Sequence, residues 1–178
     1  MPDSSPGSTR PLLPPELAAR NIALIEETPE DRPFLARLYA SVRWEELESA
    51  GWPEAARLNF LNQQFDLQDR HYKTHYIGAA FHLITESGTP IGRLYLHQGP
   101  ADLRIMDIAL LPSHRGLGIG GALLRSVLEL GRAAGTRVSI HVEMFNEKAR
   151  RLYERLGFQA NEGEGIYIRM DWFPQAAS

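Results

Sequence analysis

The chain has 178 residues, a formal net charge of −3 and no cysteine. This length suits one domain with a sizeable core, and the mildly acidic charge argues against a basic surface for nucleic acid or anionic membranes. The absence of cysteine excludes disulfides, zinc–thiolate sites and a cysteine nucleophile. The sequence contains no apolar run long enough to span a membrane and no signal-peptide pattern, so we expect a cytoplasmic protein.

The N-terminal segment differs in composition from the rest of the chain. It is polar and rich in proline and serine, which are residue types that resist packing into a core. We therefore expect residues 1–15 to form a flexible tail and residues 16–178 to form a single domain.

The first half of the domain reads as one strand, two helices and a hairpin. Thr28 is a residue type that can cap the N-terminus of the first helix, and Pro29 suits the first position inside that helix. Short apolar runs bounded by turn residues predict the strands. The expected elements are strands at 21–25, 77–86 and 90–97, a helix after Thr28, and a helix from about 53 to 69–73. The apolar positions expected to face the core are Phe34, Leu35, Leu38, Val42, Leu58, Leu61, Phe65 and Leu67.

The second half alternates between strands and helices. Apolar residues at helical spacing predict one helix before Gly135, and alternating apolar residues predict the strand after it. The expected elements are strands at 103–111, 137–143, 157 onward and 165–172, with helices at 118–134 and 146–156. The order β-α-α-β-β-β-α-β-α-β-β predicts a mixed α/β domain.

A glycine-rich loop lies between a predicted strand and a predicted helix. Residues 115–121 read RGLGIGG, with four glycines in the last six positions. Glycine lets the backbone approach a ligand closely, and the free N–H groups of the helix start point into the same space. The loop therefore predicts a phosphate or pyrophosphate site, to which Arg115 could add charge.

Two other phosphate-binding motifs compete for this loop. A P-loop requires a lysine after the glycines, and none follows. The dinucleotide fingerprint G-x-G-x-x-G does match Gly116, Gly118 and Gly121, and Glu143 lies where a ribose-binding acid would belong. Only 35 residues follow Glu143, too few for the other strands of a doubly wound domain. An NAD(P)-binding, Rossmann-like oxidoreductase therefore stays the alternative.

Two motifs follow one another in this part of the chain. The first is RGLGIG at 115–120 after a strand, and the second is NEKARRLYERLGF at 146–158. In this order, with a helix and a strand between them, they resemble the two cofactor segments of the GNAT superfamily of N-acetyltransferases. The resemblance implies a GNAT-type fold, a central twisted mixed sheet of about seven strands with helices on both faces. Its fourth and fifth strands would splay apart.

The resemblance also implies acetyl-coenzyme A as co-substrate and no metal. Backbone N–H groups of the glycine loop would hold the pyrophosphate, and the preceding strand would offer backbone groups to the pantetheine arm. Asn146 would bond the same arm. The residues implied to bind the co-substrate are Ala109, Leu110, Leu111, Arg115, Gly116, Leu117, Gly118, Ile119, Gly120, Gly121, Asn146, Ala149 and Tyr153.

Acetyl transfer to an amine needs a base for the amine and a proton donor for the leaving thiolate. The resemblance implies Tyr153 as the donor. The base stays open among three residues. His141 and Glu143 share the polar face of one strand, Asp107 lies on the neighbouring strand, and the reference pKa of histidine near 6.5 suits this task. A chain of waters with no dedicated base is a further alternative.

The acceptor is an amine whose identity the sequence does not give. We expect the acetyl group to pass directly to a primary amine of a small molecule or peptide, since no cysteine is present to carry it. A non-catalytic coenzyme A sensor is a second alternative. We expect neither nucleic acid nor membrane as a partner, and the resemblance is compatible with a homodimer.

Overall fold

The structure is a computed structural model that describes residues 9–161, 163 and 165–175. Its strands are β1 Ile22–Glu26, β2 Ala80–Glu86, β3 Thr89–Gln98, β4 Asp102–Leu110, β5 Arg137–Glu143, β6 Gln159–Ala160 and β7 Tyr167–Trp172. They form one sheet in the order β1-β2-β3-β4-β5-β7-β6. Neighbouring strands run antiparallel except β4 and β5, which are parallel.

The helices cover both faces of this sheet. They are α1 Pro15–Ala18, α2 Arg32–Arg43, α3 Glu54–His75, α4 Ile119–Ala134 and α5 Glu147–Arg155. Helices α2 and α3 lie on one face, and α1, α4 and α5 lie on the other. The seven strands and the two helical layers confirm the predicted α/β fold. Within the described ranges, no helix is long and apolar enough to cross a membrane.

Each face of the sheet has its own hydrophobic core. On the α4 side, Leu94, Leu103 and Leu123 are fully buried. On the α2–α3 side, Leu38 and Phe65 fill the space between the helices and the strands. Apolar residues recur at helical spacing in α4, so this helix presents one apolar side to the sheet.

Three residues predicted to be buried are exposed. The exposed fractions are 43% for Val42, 45% for Leu58 and 57% for Leu67. Val42 and Leu58 lie near the ends of their helices, beyond the buried stripe. Leu67 follows Phe65 by two residues, which turns it about 200° around the helix and away from the core. Helix α3 also continues to His75, beyond its predicted end.

The expected N-terminal tail is partly ordered. Residues 1–8 lie outside the described residues, but residues 10–15 contact the domain. Arg10 Nη2 donates to the carbonyl of Leu24 at 2.5 Å. Helix α1 follows at once and buries Leu17 completely. A hydrogen bond and apolar side chains thus pack the end of this polar segment onto the sheet, and the division into a tail and a single domain stays a prediction.

The ladder between β4 and β5 is incomplete. It ends at the Ile105–Ile140 pair, so residues 106–110 of β4 and 141–143 of β5 separate. Met106 is an extra residue in β4 opposite β3 and forms a bulge that bends the strand at this point. The separation confirms the predicted splay and leaves a gap lined by backbone groups of both strands.

Candidate active site

The loop after β4 leaves its backbone amides open. Gly116 and Gly118 have positive φ angles of 72° and 82°, a region that glycine enters without a steric penalty. Gly118 is the N-cap of α4, and no side chain caps this helix. Among the described residues, no N–H between Gly116 and Gly121 donates to a backbone carbonyl outside the helix. This is the geometry that an anion site requires.

The first turn of α4 can serve a ligand only through its backbone. Ile119 is 1% exposed and anchors the turn in the core. A Cβ on Gly120 or Gly121 would meet other side chains at 4.0 Å and 3.6 Å, respectively. Either glycine could therefore hold a side chain without a clash, but the side chain would narrow the access to the amides.

Two arginines fix the loop from opposite sides. Arg115 Nε donates to the carbonyl of Leu110 at 2.9 Å and ties the loop to the end of β4. Arg20 Nη1 donates to the carbonyl of Leu117 at 2.8 Å. The sequence predicted Arg115 but missed Arg20, because this contact joins residues 97 positions apart. Both guanidinium groups add positive charge beside the open amides.

The β4 side of the gap offers one free amide among the three predicted residues. Leu111 N–H donates to the carbonyl of Ile91 at 2.8 Å and is therefore used within the sheet. The Ala109 carbonyl also points toward β3, since a Cβ on Gly92 would lie 2.3 Å from it. Backbone groups alternate sides along a strand, so the Leu110 amide faces the gap.

Asp107 follows the bulge and faces the α2–α3 side of the sheet. Its Oδ2 accepts from Arg93 Nη2 at 2.7 Å and lies 3.4 Å from the Tyr72 hydroxyl. The same hydroxyl is 3.3 Å from the Met106 carbonyl, so Tyr72 contacts both the bulge and the carboxylate. Arg93 also donates to Gln68 at 2.7 Å. These contacts hold Asp107 at the edge of the gap.

Sequence reasoning missed the partners of Asp107. Arg93 is 4% exposed, and its guanidinium lies 4.8 Å from the centre of the Tyr95 ring. Tyr95 in turn donates to Glu27, whose other oxygen accepts from Lys73 at 2.9 Å. Burial raises the pKa of Tyr95, which keeps this hydroxyl protonated. The available signal was a single arginine within the apolar middle of the strand, between Ile91 and Leu96, since a charge at such a position requires a buried partner.

The polar face of β5 holds the other two candidate bases in different settings. Glu143 pairs with Arg43 at 3.3 Å, at the end of α2. His141 is exposed and lies just beyond the last residue pair between β4 and β5. Ser139 is fully buried and donates to Asp102, which gives it a structural contact.

The electrostatic surroundings of His141 favour its neutral form. Desolvation lowers the pKa of His141 first, and the positive charges of Arg104 and Arg169 lower it further. The carboxylates of Asp171 and Asp102 act in the opposite direction and are outweighed. The imidazole is therefore neutral near pH 7 and is able to accept a proton.

Tyr153 lies under the opposite side of the gap. It is 7% exposed, and its ring is tilted against Phe158 with 5.9 Å between centroids. Burial raises the pKa of Tyr153 to about 12, and the charge of Asp107 adds to the effect. The phenol thus keeps its proton at physiological pH.

Asn146 and Ala149 shape the start of α5. Asn146 is the N-cap, and its Oδ1 accepts from the backbone N–H of Ala149 at 3.1 Å. The side-chain oxygen of Asn146 and the N–H of Ala149 are therefore hydrogen-bonded to each other. The Nδ2 group of Asn146 remains as a donor for a ligand. Roles for these two residues toward the pantetheine arm stay predictions. Among the described residues, no group of three or more His, Asp or Glu side chains could hold a metal ion.

The loop and the gap lie in a part of the chain that is similar to a known protein family. The model of the Acetyltransferase (GNAT) family matches residues 39–158, which is more than half of the chain. The chain belongs to this family. It is an acyltransferase that transfers an acetyl group to an amine, as the sequence resemblance implied.

Curated relatives agree with this assignment. The Bacillus subtilis (strain 168) protein named "Uncharacterized N-acetyltransferase YycN" is 29% identical over 76% of this chain and 90% of its own length. The glucosamine 6-phosphate N-acetyltransferase of Trypanosoma brucei brucei is 35% identical over 53% of this chain and 56% of its own.

The fold comparison supports the same architecture. The PaiA N-acetyltransferase from Thermoplasma acidophilum, solved in complex with coenzyme A, superposes on the acetyltransferase with a TM-score of 0.65. The alignment covers 85% of this chain and 98% of that chain at 16% identity. The mostly antiparallel sheet also argues against the Rossmann-like alternative, because a doubly wound dinucleotide domain requires a mostly parallel sheet.

Proposed function

We propose that the enzyme uses acetyl-coenzyme A and transfers the acetyl group directly to a primary amine of a small molecule or peptide. One observation carries this proposal. The row of open amides from Gly116 to Gly121 stands next to the gap between β4 and β5, so a diphosphate and an amide-rich arm could bind side by side.

The gap opens toward both faces of the sheet, which suggests how the two reactants approach one another. Loop and α5 residues lie on one side, where the thioester sulfur would reach Tyr153. Asp107 and His141 lie on the other face of the sheet, where an amine could enter from solvent. The amine nitrogen attacks the thioester carbonyl, a C–N bond forms and the C–S bond breaks. The amine proton passes to the base, and Tyr153 donates its proton to the leaving sulfur.

Pairing of the acidic residues supports His141 as the base. Asp107 is bound to Arg93, and Glu143 is bound to Arg43, so each carboxylate already stabilises a cation. Proton uptake by either carboxylate would weaken its ion pair. His141 makes no such pair among the described residues, and its neutral form is favoured. Asp107 is better suited to orient the ammonium or amine of the acceptor through Oδ1.

The names of the relatives are compatible with a primary-amine acceptor. The Trypanosoma protein is named for an amino sugar phosphate, and the relative from Mycobacterium tuberculosis is named N-alpha-acetyltransferase RimI. Both names describe transfer to a nitrogen atom, and only the first names the acceptor molecule. For this chain we therefore propose only that the acceptor is an amine, without naming the molecule.

The proposal is tested by binding and turnover together. Acetyl-coenzyme A at one hundred times its Kd should stabilise the folded protein by about 2.7 kcal/mol, seen as a rise in Tm. A panel of primary amines should then release free thiol at a rate that depends on the amine. A Tm rise without thiol release on any amine would favour the non-catalytic sensor. A Tm rise with NAD or NADP, and none with acetyl-coenzyme A, would overturn the proposal.

A further inference from the structure

Arg104 carries a charge that no carboxylate of the described residues pairs with. It lies in β4, half-buried, just before the gap opens. Its guanidinium stacks on Tyr76, with 5.3 Å between the guanidinium carbon and the ring centre. Its Nε is buried and has no hydrogen-bond partner within the described ranges. Because Nε is shielded from solvent, the donors that a ligand could reach are the two terminal Nη groups of this half-buried side chain.

Two acidic residues on this part of the sheet are already engaged by another arginine. Asp102 Oδ2 accepts from Arg169 Nη2 at 3.0 Å and from the Ser139 hydroxyl. Asp171 accepts from Arg169 Nε at 3.0 Å and from Asn161. Arg169 thus pairs with these two carboxylates, and within the described part of the chain the charge of Arg104 has no direct partner.

The position of Arg104 relates it to the reaction site. It pairs across the sheet with Ser139, and His141 lies two residues further along β5 on the same face. Two residues of an extended strand span about 7 Å. His141 is exposed, and the positive charge of Arg104 contributes to lowering its pKa. Tyr76, which supports the guanidinium, is itself held edge-on by His97 at 5.3 Å.

We infer that Arg104, supported by Tyr76, binds an anionic group of the acceptor. The enzyme would then prefer a primary amine that also carries a carboxylate or a phosphate. A planar guanidinium matches either group with two parallel hydrogen bonds, and stacking on an aromatic ring fixes its plane. This inference rests on the proposed function, because it assigns a substrate class to the same site.

The test compares matched acceptors on the full-length enzyme with acetyl-coenzyme A as donor. Linear primary amines of equal length would end in a carboxylate, a phosphate or a carboxamide. We expect kcat/KM to be at least about tenfold higher for the better anionic acceptor than for the carboxamide, in line with one charged hydrogen bond. The ratio of kcat/KM for the carboxylate acceptor to kcat/KM for the phosphate acceptor shows which anion the site prefers.

Variants of Arg104 separate recognition from folding. Arg104→Gln should remove the anion preference, measured as the ratio of kcat/KM for the anionic acceptor to kcat/KM for the carboxamide acceptor, whereas Arg104→Lys should keep part of this ratio. Arg132 is a matched control, because it also stacks on an aromatic ring, Trp172, at 5.4 Å. Arg132→Gln should leave the preference intact. An equal preference in wild type and Arg104→Gln, or no preference in wild type, would overturn the inference while acetyl transfer stands.

A binding measurement keeps the inference testable even if no amine is acetylated, an outcome that would itself overturn the proposed function. The protein with coenzyme A would be titrated with the amino-carboxylate or amino-phosphate probe while NMR follows His141. The charges of Arg104 and Arg169 lower the pKa of His141, whereas Asp102 and Asp171 raise it. In wild type the anionic probe should therefore leave this pKa higher than the carboxamide amine of equal length does, because it neutralises the Arg104 charge. The same probe should produce no rise in Arg104→Gln. A His141 pKa that ignores the probe in wild type would contradict an anion site at Arg104.

Discussion

Nη2 of Arg93 lies 2.7 Å from Oδ2 of Asp107, in a contact that joins β3 to the bulged part of β4. The arginine is 4% exposed and the aspartate side chain 17%, so the pair is largely shielded from water. Tyr72 and Gln68 complete the hydrogen bonding on the helix side. The pair therefore fixes the direction in which Asp107 faces the gap.

Breaking this pair should be costly. Arg93→Met leaves Asp107 without its counter-charge, and we expect a loss of about 3–5 kcal/mol in the free energy of unfolding. Arg93→Met combined with Asp107→Asn should recover part of that loss, because no unpaired charge remains. Urea denaturation measures both values. As a contrast, Glu147→Gln breaks the exposed pair with Arg151 and should cost less than about 1 kcal/mol.

Gly118→Ala should weaken coenzyme A binding as well as stability. Its φ of +82° is strained for alanine, although no atom lies within 4 Å of an added Cβ, and the expected cost is about 1–2 kcal/mol. Gly135 closes the other end of α4 with a φ of +63° and equally open surroundings. Gly135→Ala should cost a similar amount by thermal unfolding but leave the Kd of coenzyme A unchanged. Equal losses of affinity in both variants would argue against the loop as the pyrophosphate site.

Tyr153→Phe should lower kcat by about 10²–10⁴-fold, the range typical of a lost general acid. The ring is buried in the core, so phenylalanine keeps its packing and the Kd of coenzyme A should change little. Stopped-flow or steady-state thiol release gives kcat, and calorimetry gives the affinity. Unchanged kcat would remove Tyr153 as the proton donor.

The pH profile of kcat/KM should show an acidic limb below the ordinary histidine value of about 6.5, because the pKa of His141 is lowered. Activity requires the neutral imidazole, so the rate is full above this limb and falls as the pH decreases through it. His141→Gln should abolish the limb together with most of the rate. No limb from Tyr153 is expected below pH 10, since burial raises its pKa to about 12. A limb that persists in His141→Gln would assign the base elsewhere.

Local patterns in the sequence were sufficient for much of the architecture. The strand predicted at 137–143 has those bounds in the structure, and the helix predicted from 118 to 134 begins at Ile119. Both predictions depend on the spacing of apolar residues and on glycines at the ends of the elements, which are features of a short stretch of sequence. Exposure was predicted less well, as Val42 shows, because it depends on where a helix ends relative to the sheet.

The candidate site divides in the same way. The glycines at 116–121 and the polar face of β5 follow from residue types at fixed spacing. The pairing of Asp107 with Arg93 required the register between β3 and β4, including the bulge at Met106. No short stretch of sequence encodes that register.

The sequence by itself determined the order of the main elements from β1 onward, the glycine loop, the family resemblance and the candidate acid and bases. Only the tertiary structure decided which carboxylates form ion pairs. It also decided that, among the described residues, neither His141 nor Arg104 is paired with a carboxylate. Backbone conformation responds to neighbours along the chain. The pairing of charged side chains and their pKa values depend instead on distances between strands and helices that are remote in sequence. The first can be read from spacing, and the second exists only once the sheet has formed.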